Sequence, residues 1–131
     1  MPPLRASLIP PTVSTVPTRG PTMQLTAYDR YRTGTLLFEQ RQYADAAREF
    51  ESLLGEDAPA YGLGDARQLL ARSYYHSAQL GRAERAARDL LERDASDGYA
   101  ALLLARTLKR QGRGDEAEPW FTRAAALGET A

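Results

Sequence analysis

His76 is the only histidine in the chain, and there is no cysteine. The side chains that most often relay protons near neutral pH or ligate transition metals are therefore represented once. A sulfur-based zinc site, a disulfide and a histidine-based triad all lack material, and His76 reads as a surface or binding-face residue. Gly62-Leu63-Gly64 has a glycine spacing reminiscent of a phosphate loop, but no strand precedes it and no Gly-Lys-Ser/Thr follows. Arg113-Gly114-Asp115 spells an adhesion tripeptide and falls in a turn between two expected helices. The 17 acidic residues are scattered among 17 basic ones, with no pairing that would perturb a carboxylate. No catalytic residue, cofactor or metal site is predicted. What remains is recognition chemistry. The chain holds seven tyrosines, three phenylalanines and one tryptophan, and every basic residue except Lys109 is arginine.

These residues need elements to position them, and the chain divides into two compositional regions. Residues 1–23 carry Pro2, Pro3, Pro10, Pro11, Pro17 and Pro21 among Ser and Thr. Proline removes backbone donors and drives its predecessor out of helical geometry, so a disordered tail with polyproline-II character is expected there. Met23 stands where the helical pattern begins, which fits a tail that is vector-derived or a mis-assigned start. The tail has no uninterrupted apolar run of the kind a signal peptide carries, and no stretch approaches the ~20 apolar residues of a membrane span. A cytoplasmic location is expected. A net charge of zero supplies no field to gather nucleic acid or an anionic membrane.

From residue 24 to 131 the apolar spacing is helical, as in Leu69, Leu70, Ser73, Tyr74 and in Leu102, Leu103, Arg106. Thr26 with Asp29, and Asp65 with Gln68, have the spacing of capping boxes. Gly55, Gly112 and Gly128 stand where helices should stop. Pro119 is expected in the first turn of the last helix, where a missing donor is tolerated. Six helices of roughly 12–15 residues follow, with one longer loop near Gly55–Gly64.

The segments Gln40–Ala47, Ser77–Glu84 and Gln111–Glu118 align on Ala46, Ala83 and Ala117, which stand 37 and then 34 residues apart. A small residue precedes each anchor at Gly34, Ala71 and Ala105, with a larger one three further on at Leu37, Tyr74 and Leu108. Phe50, Ala87 and Phe121 follow four residues after the anchors, then Leu53, Leu90 and Ala124. This pattern resembles the tetratricopeptide repeat, whose period is 34 residues. The departures are Arg30, Arg67 and Ala101 in place of tryptophan; Thr33 in place of leucine; and Ala58, Ala95 and Glu129 in place of the closing proline. More narrowly, the arginine-rich composition is similar to that of small free-standing tetratricopeptide proteins of high-GC actinobacteria.

The resemblance implies an all-α fold, an α-solenoid of three helix-turn-helix repeats at about 27–63, 64–97 and 98–131. It also implies a non-catalytic protein–protein interaction module that holds a partner peptide in a concave groove lined by the first helix of each repeat. Carried onto this chain, the groove comprises Tyr28, Tyr31, Thr35 and Phe38 from the first repeat. The second contributes Gln68, Arg72, Tyr75 and His76, and the third Tyr99, Leu102, Arg106, Lys109 and Arg110. Each aromatic has packing between helices as its alternative role. The face runs from aromatic to basic, which suits a segment bearing an apolar or aromatic residue and an acidic group or free C-terminus. The family's dicarboxylate clamp for chaperone C-termini is not matched, because Tyr31, Thr35, Leu69, Tyr99 and Leu103 occupy its positions. Two other readings stand beside this one. One is self-association through an uncapped last helix carrying Trp120 and Phe121, favoured by a charge difference between the ends. The other, more remote, is RNA binding by a helical-repeat scaffold.

Overall fold

The computed structural model describes residues 26–55 and 65–130. The Pro-rich tail, most of the expected loop and Gly62–Gly64 lie outside the described residues. Six helices follow in order: α1 (Ala27–Glu39), α2 (Tyr43–Leu53), α3 (Ala66–His76), α4 (Leu80–Arg93), α5 (Gly98–Arg110) and α6 (Gly114–Ala126). Consecutive helices pack on each other. The first helices of adjacent hairpins also touch, α1 against α3 and α3 against α5. The result is an all-α stack of three hairpins whose first helices line one continuous inner face.

The repeat register supplies the core. Ala46, Ala83 and Ala117, together with Ala71 and Ala105, are at most 1% exposed, and Phe50 is wholly buried. Gly34 shows why the small position is small. A Cβ built there would lie 2.8 Å from Phe50 Cε1 and Cζ, well inside ordinary carbon contact. The equivalent positions carry different residues in the three hairpins: Gly34 and Phe50, Ala71 and Ala87, and Ala105 and the half-buried Phe121.

All three hairpin turns share one geometry. Arg41 (φ 64°), Ala78 (φ 62°) and Gly112 (φ 78°) take the left-handed conformation just past α1, α3 and α5. Around each, two hydrogen bonds complete a Schellman motif: Gln42 N to Leu37 O at 2.8 Å, Gln79 N to Tyr74 O at 2.8 Å, and Arg113 N to Leu108 O at 2.9 Å are the longer-range members. Gly128 ends α6 the same way, with Glu129 N donating to Ala124 O at 2.9 Å. Glycine anticipates only two of these four sites. At Arg41 and Ala78 the hairpin imposes the conformation on residues that adopt it at some expense of stability.

The caps divide between expectation and correction. Thr26 forms the expected box: Asp29 N donates to Thr26 Oγ1 at 3.0 Å, and Thr26 N donates to Asp29 Oδ2 at 3.2 Å. These bonds to Thr26 hold the Asp29 carboxyl below its ordinary range. Asp65 does not cap α3. Its backbone (φ −94°, ψ 1°) is not extended, and its carboxylate instead accepts from Tyr31 Oη at 2.7 Å. Pro119 is the sixth residue of α6 and not in its first turn, so the carbonyl of Asp115 loses its usual donor. Where the repeat lacks its closing proline at Ala95, Asp94 makes an Asx turn instead, accepting from Ser96 N at 3.0 Å.

The end faces differ from the internal layers. At one register of α3 and α5 stand Ala66, Leu69, Leu70 and Ser73, then Ala100, Leu103, Leu104 and Thr107, nearly all buried, with Ala66, Leu69 and Leu70 packed against Phe50 and Leu53 of the first hairpin. The same register in α1 holds Asp29, Arg32, Thr33 and Leu36, which together line a shallow surface hollow. Thr33 thus departs from the repeat pattern because its position faces outward.

Candidate functional site

The inner face is built from α1, α3 and α5, and its cations are braced by its aromatic rings. Arg72 projects from the middle hairpin, with its guanidinium carbon 4.8 Å from the centroid of Phe38 on α1 and 5.9 Å from that of Tyr99 on α5. One side chain thereby touches all three hairpins. Arg110 lies over Tyr75 at 4.7 Å and donates from Nη1 to the Tyr75 carbonyl at 2.9 Å. His76 stacks on Tyr43 at 4.7 Å, with Phe38 and Tyr75 edge-on at 6.0 and 5.4 Å. Burial, followed by the nearby charges of Arg72 and Arg110, lowers the His76 pKa below its ordinary value.

The structure brings most of the anticipated residues together, though several in roles the pattern does not reveal. Tyr28 is 61% exposed at the edge of the face, with Arg32 over its ring at 5.8 Å. Tyr31 turns toward the core, edge-on to Phe50 at 6.4 Å. Its hydroxyl bond to Asp65, reinforced by burial, raises its pKa. Thr35 Oγ1 and Arg72 Nε are buried and have no hydrogen-bond partner among the described residues. Gln68 and Arg106 are half-buried, while Lys109 is exposed. Leu102 departs from expectation. It is 4% exposed and belongs to the core cluster with Leu103, Leu104 and Leu108, so its side chain is not free for a partner. Tyr43 is absent from the sequence-derived set because it opens α2. Its nearness to His76 is set by the turn at Arg41.

The ion pairs of the described residues lie away from the inner face. Arg30 pairs with Glu49, Arg82 with Glu51, Arg88 and Arg113 with Glu84, and Arg93 with Asp89. Burial alone would push the Glu84 carboxyl up, but the hydrogen bonds from Arg113 and Arg88 hold it below its ordinary value. Arg113 is thus occupied by Glu84 and Glu116, at 2.8 Å each, and the Arg113-Gly114-Asp115 tripeptide is not a free loop. On the inner face, by contrast, Arg72, Arg106, Lys109 and Arg110 form no ion pair among the described residues.

Among the described residues no cluster of three or more His, Asp or Glu could hold a metal, and no helix is long and apolar enough to cross a membrane. The family model for the tetratricopeptide repeat matches residues 69–131, from the fourth residue of α3 through α6. The matched stretch is tetratricopeptide repeat. The first hairpin lies outside the matched stretch, but its turn at Arg41 repeats the geometry of the other two. Tetratricopeptide repeats are protein–protein interaction modules and are generally non-catalytic. No curated protein matches the chain.

Proposed function

We propose that this protein holds a segment of another polypeptide along the inner face of α1, α3 and α5. The observation that carries the proposal is the cation–ring ladder crossing all three hairpins, from Phe38 through Arg72 to Tyr99. Side chains fixed by stacking lose less conformational freedom when a partner arrives, and a preorganised face of aromatic and arginine residues is the usual composition of a binding hot spot. The ion pairs of the described residues, among them Arg88 and Arg113 with Glu84, lie away from this face.

Continuation of the stack by a second copy is the less favoured reading. A helix docking on α1 in the manner of α2 on α3 would bury Asp29 and Arg32, and unpaired buried charge opposes association. The test is a photo-crosslinking amino acid placed at Arg106 on the inner face or at Glu92 on the back, in protein expressed in its native host. Adducts to the same polypeptide from position 106 and none from 92 are expected. Adducts from 92 alone, or adducts to a second copy of the chain from both positions, would overturn the proposal.

A further inference from the structure

Resting on that inner-face site, we infer that the segment it takes is an extended acidic polypeptide, held through its carboxylates by Arg72, Arg106, Lys109 and Arg110. Three observations converge. First, these four cations have no carboxylate within ion-pair distance among the described residues, although seven such pairs are formed elsewhere. The two acids on this face do not neutralise them. Asp65 is engaged by the Tyr31 hydroxyl at 2.7 Å, and Glu39 stands exposed at the end of α1.

Second, one face of each of the rings is already engaged, although Tyr28 is still 61% exposed. Arg72 covers Phe38 and Tyr99, Arg110 covers Tyr75, Arg32 covers Tyr28, and His76 covers Tyr43. A partner's aromatic or cationic group finds fewer open π-faces here. Nucleic-acid bases meet the same obstacle, since non-specific single-strand binding relies on stacking against free aromatic rings. What the ladder leaves available is the guanidinium N–H groups not already engaged, Arg110 having given Nη1 to the Tyr75 carbonyl, and such groups match a carboxylate.

Third, Arg72 is held in place before any ligand arrives, and its Nε is a buried donor without a protein partner among the described residues. The spacing also fits an extended chain. Arg106 and Arg110 are neighbours one turn apart on α5, about 5–6 Å at Cβ. Alternate side chains of an extended segment lie about 6.7 Å apart. The α3 row carrying Arg72 lies one helix spacing away, roughly 8–10 Å. Acid-x-acid is therefore the shortest sequence that reaches two cations on α5 at once, and a third acid further along reaches α3.

The probe is a fluorescein-labelled twelve-residue peptide of alternating Glu and Ala, followed by fluorescence anisotropy at low and at physiological salt. Its Gln-for-Glu counterpart and a twelve-nucleotide single-stranded RNA serve as comparisons. The acidic peptide is expected to bind with an affinity that falls as salt rises, with the neutral peptide and the RNA at least about tenfold weaker. Lys109→Glu with Arg110→Glu alters two exposed side chains and should abolish binding without loss of helical circular dichroism. Arg85→Glu, exposed on α4, should leave binding unchanged. Equal binding of the two peptides, tighter binding of the RNA, or full binding by the double variant would each overturn the inference. If the acidic peptide fails while crosslinks still arise from position 106, the inner face is a polypeptide site but not an acidic one. If both fail, the inner-face site itself is lost.

Discussion

Gly34 offers a test of whether one helix crossing governs the first hairpin. Replacing it with alanine sets two effects of opposite sign against each other. In a helix interior alanine is favoured over glycine by about 1 kcal/mol. The added Cβ would, however, stand 2.8 Å from two ring carbons of Phe50, whereas carbon atoms settle at about 3.5–4.0 Å. The ring must therefore retreat by nearly 1 Å, and it is wholly buried with Tyr31 against its edge. Overpacking of this kind costs about 1–3 kcal/mol. The net expectation is destabilisation of about 1 kcal/mol, a fall in Tm of roughly 4–8 °C for a domain of this size. Gly81→Ala isolates the crossing, because Gly81 sits in the exposed face of α4 with only the mobile end of Arg85 within reach, at 3.8 Å. That variant should gain stability by about 0.5–1 kcal/mol. Thermal and urea unfolding followed by circular dichroism would measure both. Adding Phe50→Leu to Gly34→Ala should make the alanine better tolerated than it is opposite phenylalanine. A Gly34→Ala protein as stable as Gly81→Ala would refute the claim that contact with Phe50 holds this position to glycine.

Three further predictions concern local geometry and protonation. Ala78→Gly relieves a left-handed alanine at the α3–α4 turn and should stabilise the protein by about 1 kcal/mol; a lowered urea midpoint would contradict it. Pro119→Ala restores a donor to the Asp115 carbonyl within α6 and should raise the unfolding midpoint, by up to about 3 kcal/mol; an unchanged midpoint would show that α6 does not bear the strain. His76 is held below its ordinary pKa by burial and by Arg72 and Arg110. Its contribution to stability is therefore complete above about pH 6.5, the unfolded value, and is lost as pH falls from there toward the lowered folded value. Urea midpoints measured across pH 5–7.5 should decline over that window in the wild type and decline less in His76→Gln; identical slopes would remove His76 from the account.

The sequence makes the architecture legible where the determinants are local or periodic. The alanine anchors fix the register, Thr26 with Asp29 marks the start of α1, and Gly112 and Gly128 mark two helix ends. The turns at Arg41 and Ala78 were within reach too, since both align with Gly112, but residue type alone argues against a left-handed conformation there. Asp65 looks like a cap because its spacing to Gln68 is local; its actual partner, Tyr31, is 34 residues away on another hairpin. The same limit applies to the inner face. Helical periodicity places Phe38, Arg72 and Tyr99 on one side of their helices, yet it says nothing of a guanidinium lying between two rings. Leu102 is buried because α5 is the most enclosed of the first helices, a property of the stack and not of its own segment.

The position of Arg72 has a mechanical consequence. A stack of hairpins behaves as a spring in which each unit can rotate slightly against the next, because repeats contact only their neighbours. Arg72 sits at both junctions at once, since one side chain of the middle unit touches rings belonging to each of its neighbours. Splaying the outer hairpins apart opens at least one of those contacts. The curvature of the stack and the setting of this guanidinium are therefore a single variable, and whatever grips Arg72 from the inner face also fixes the bend of the whole chain.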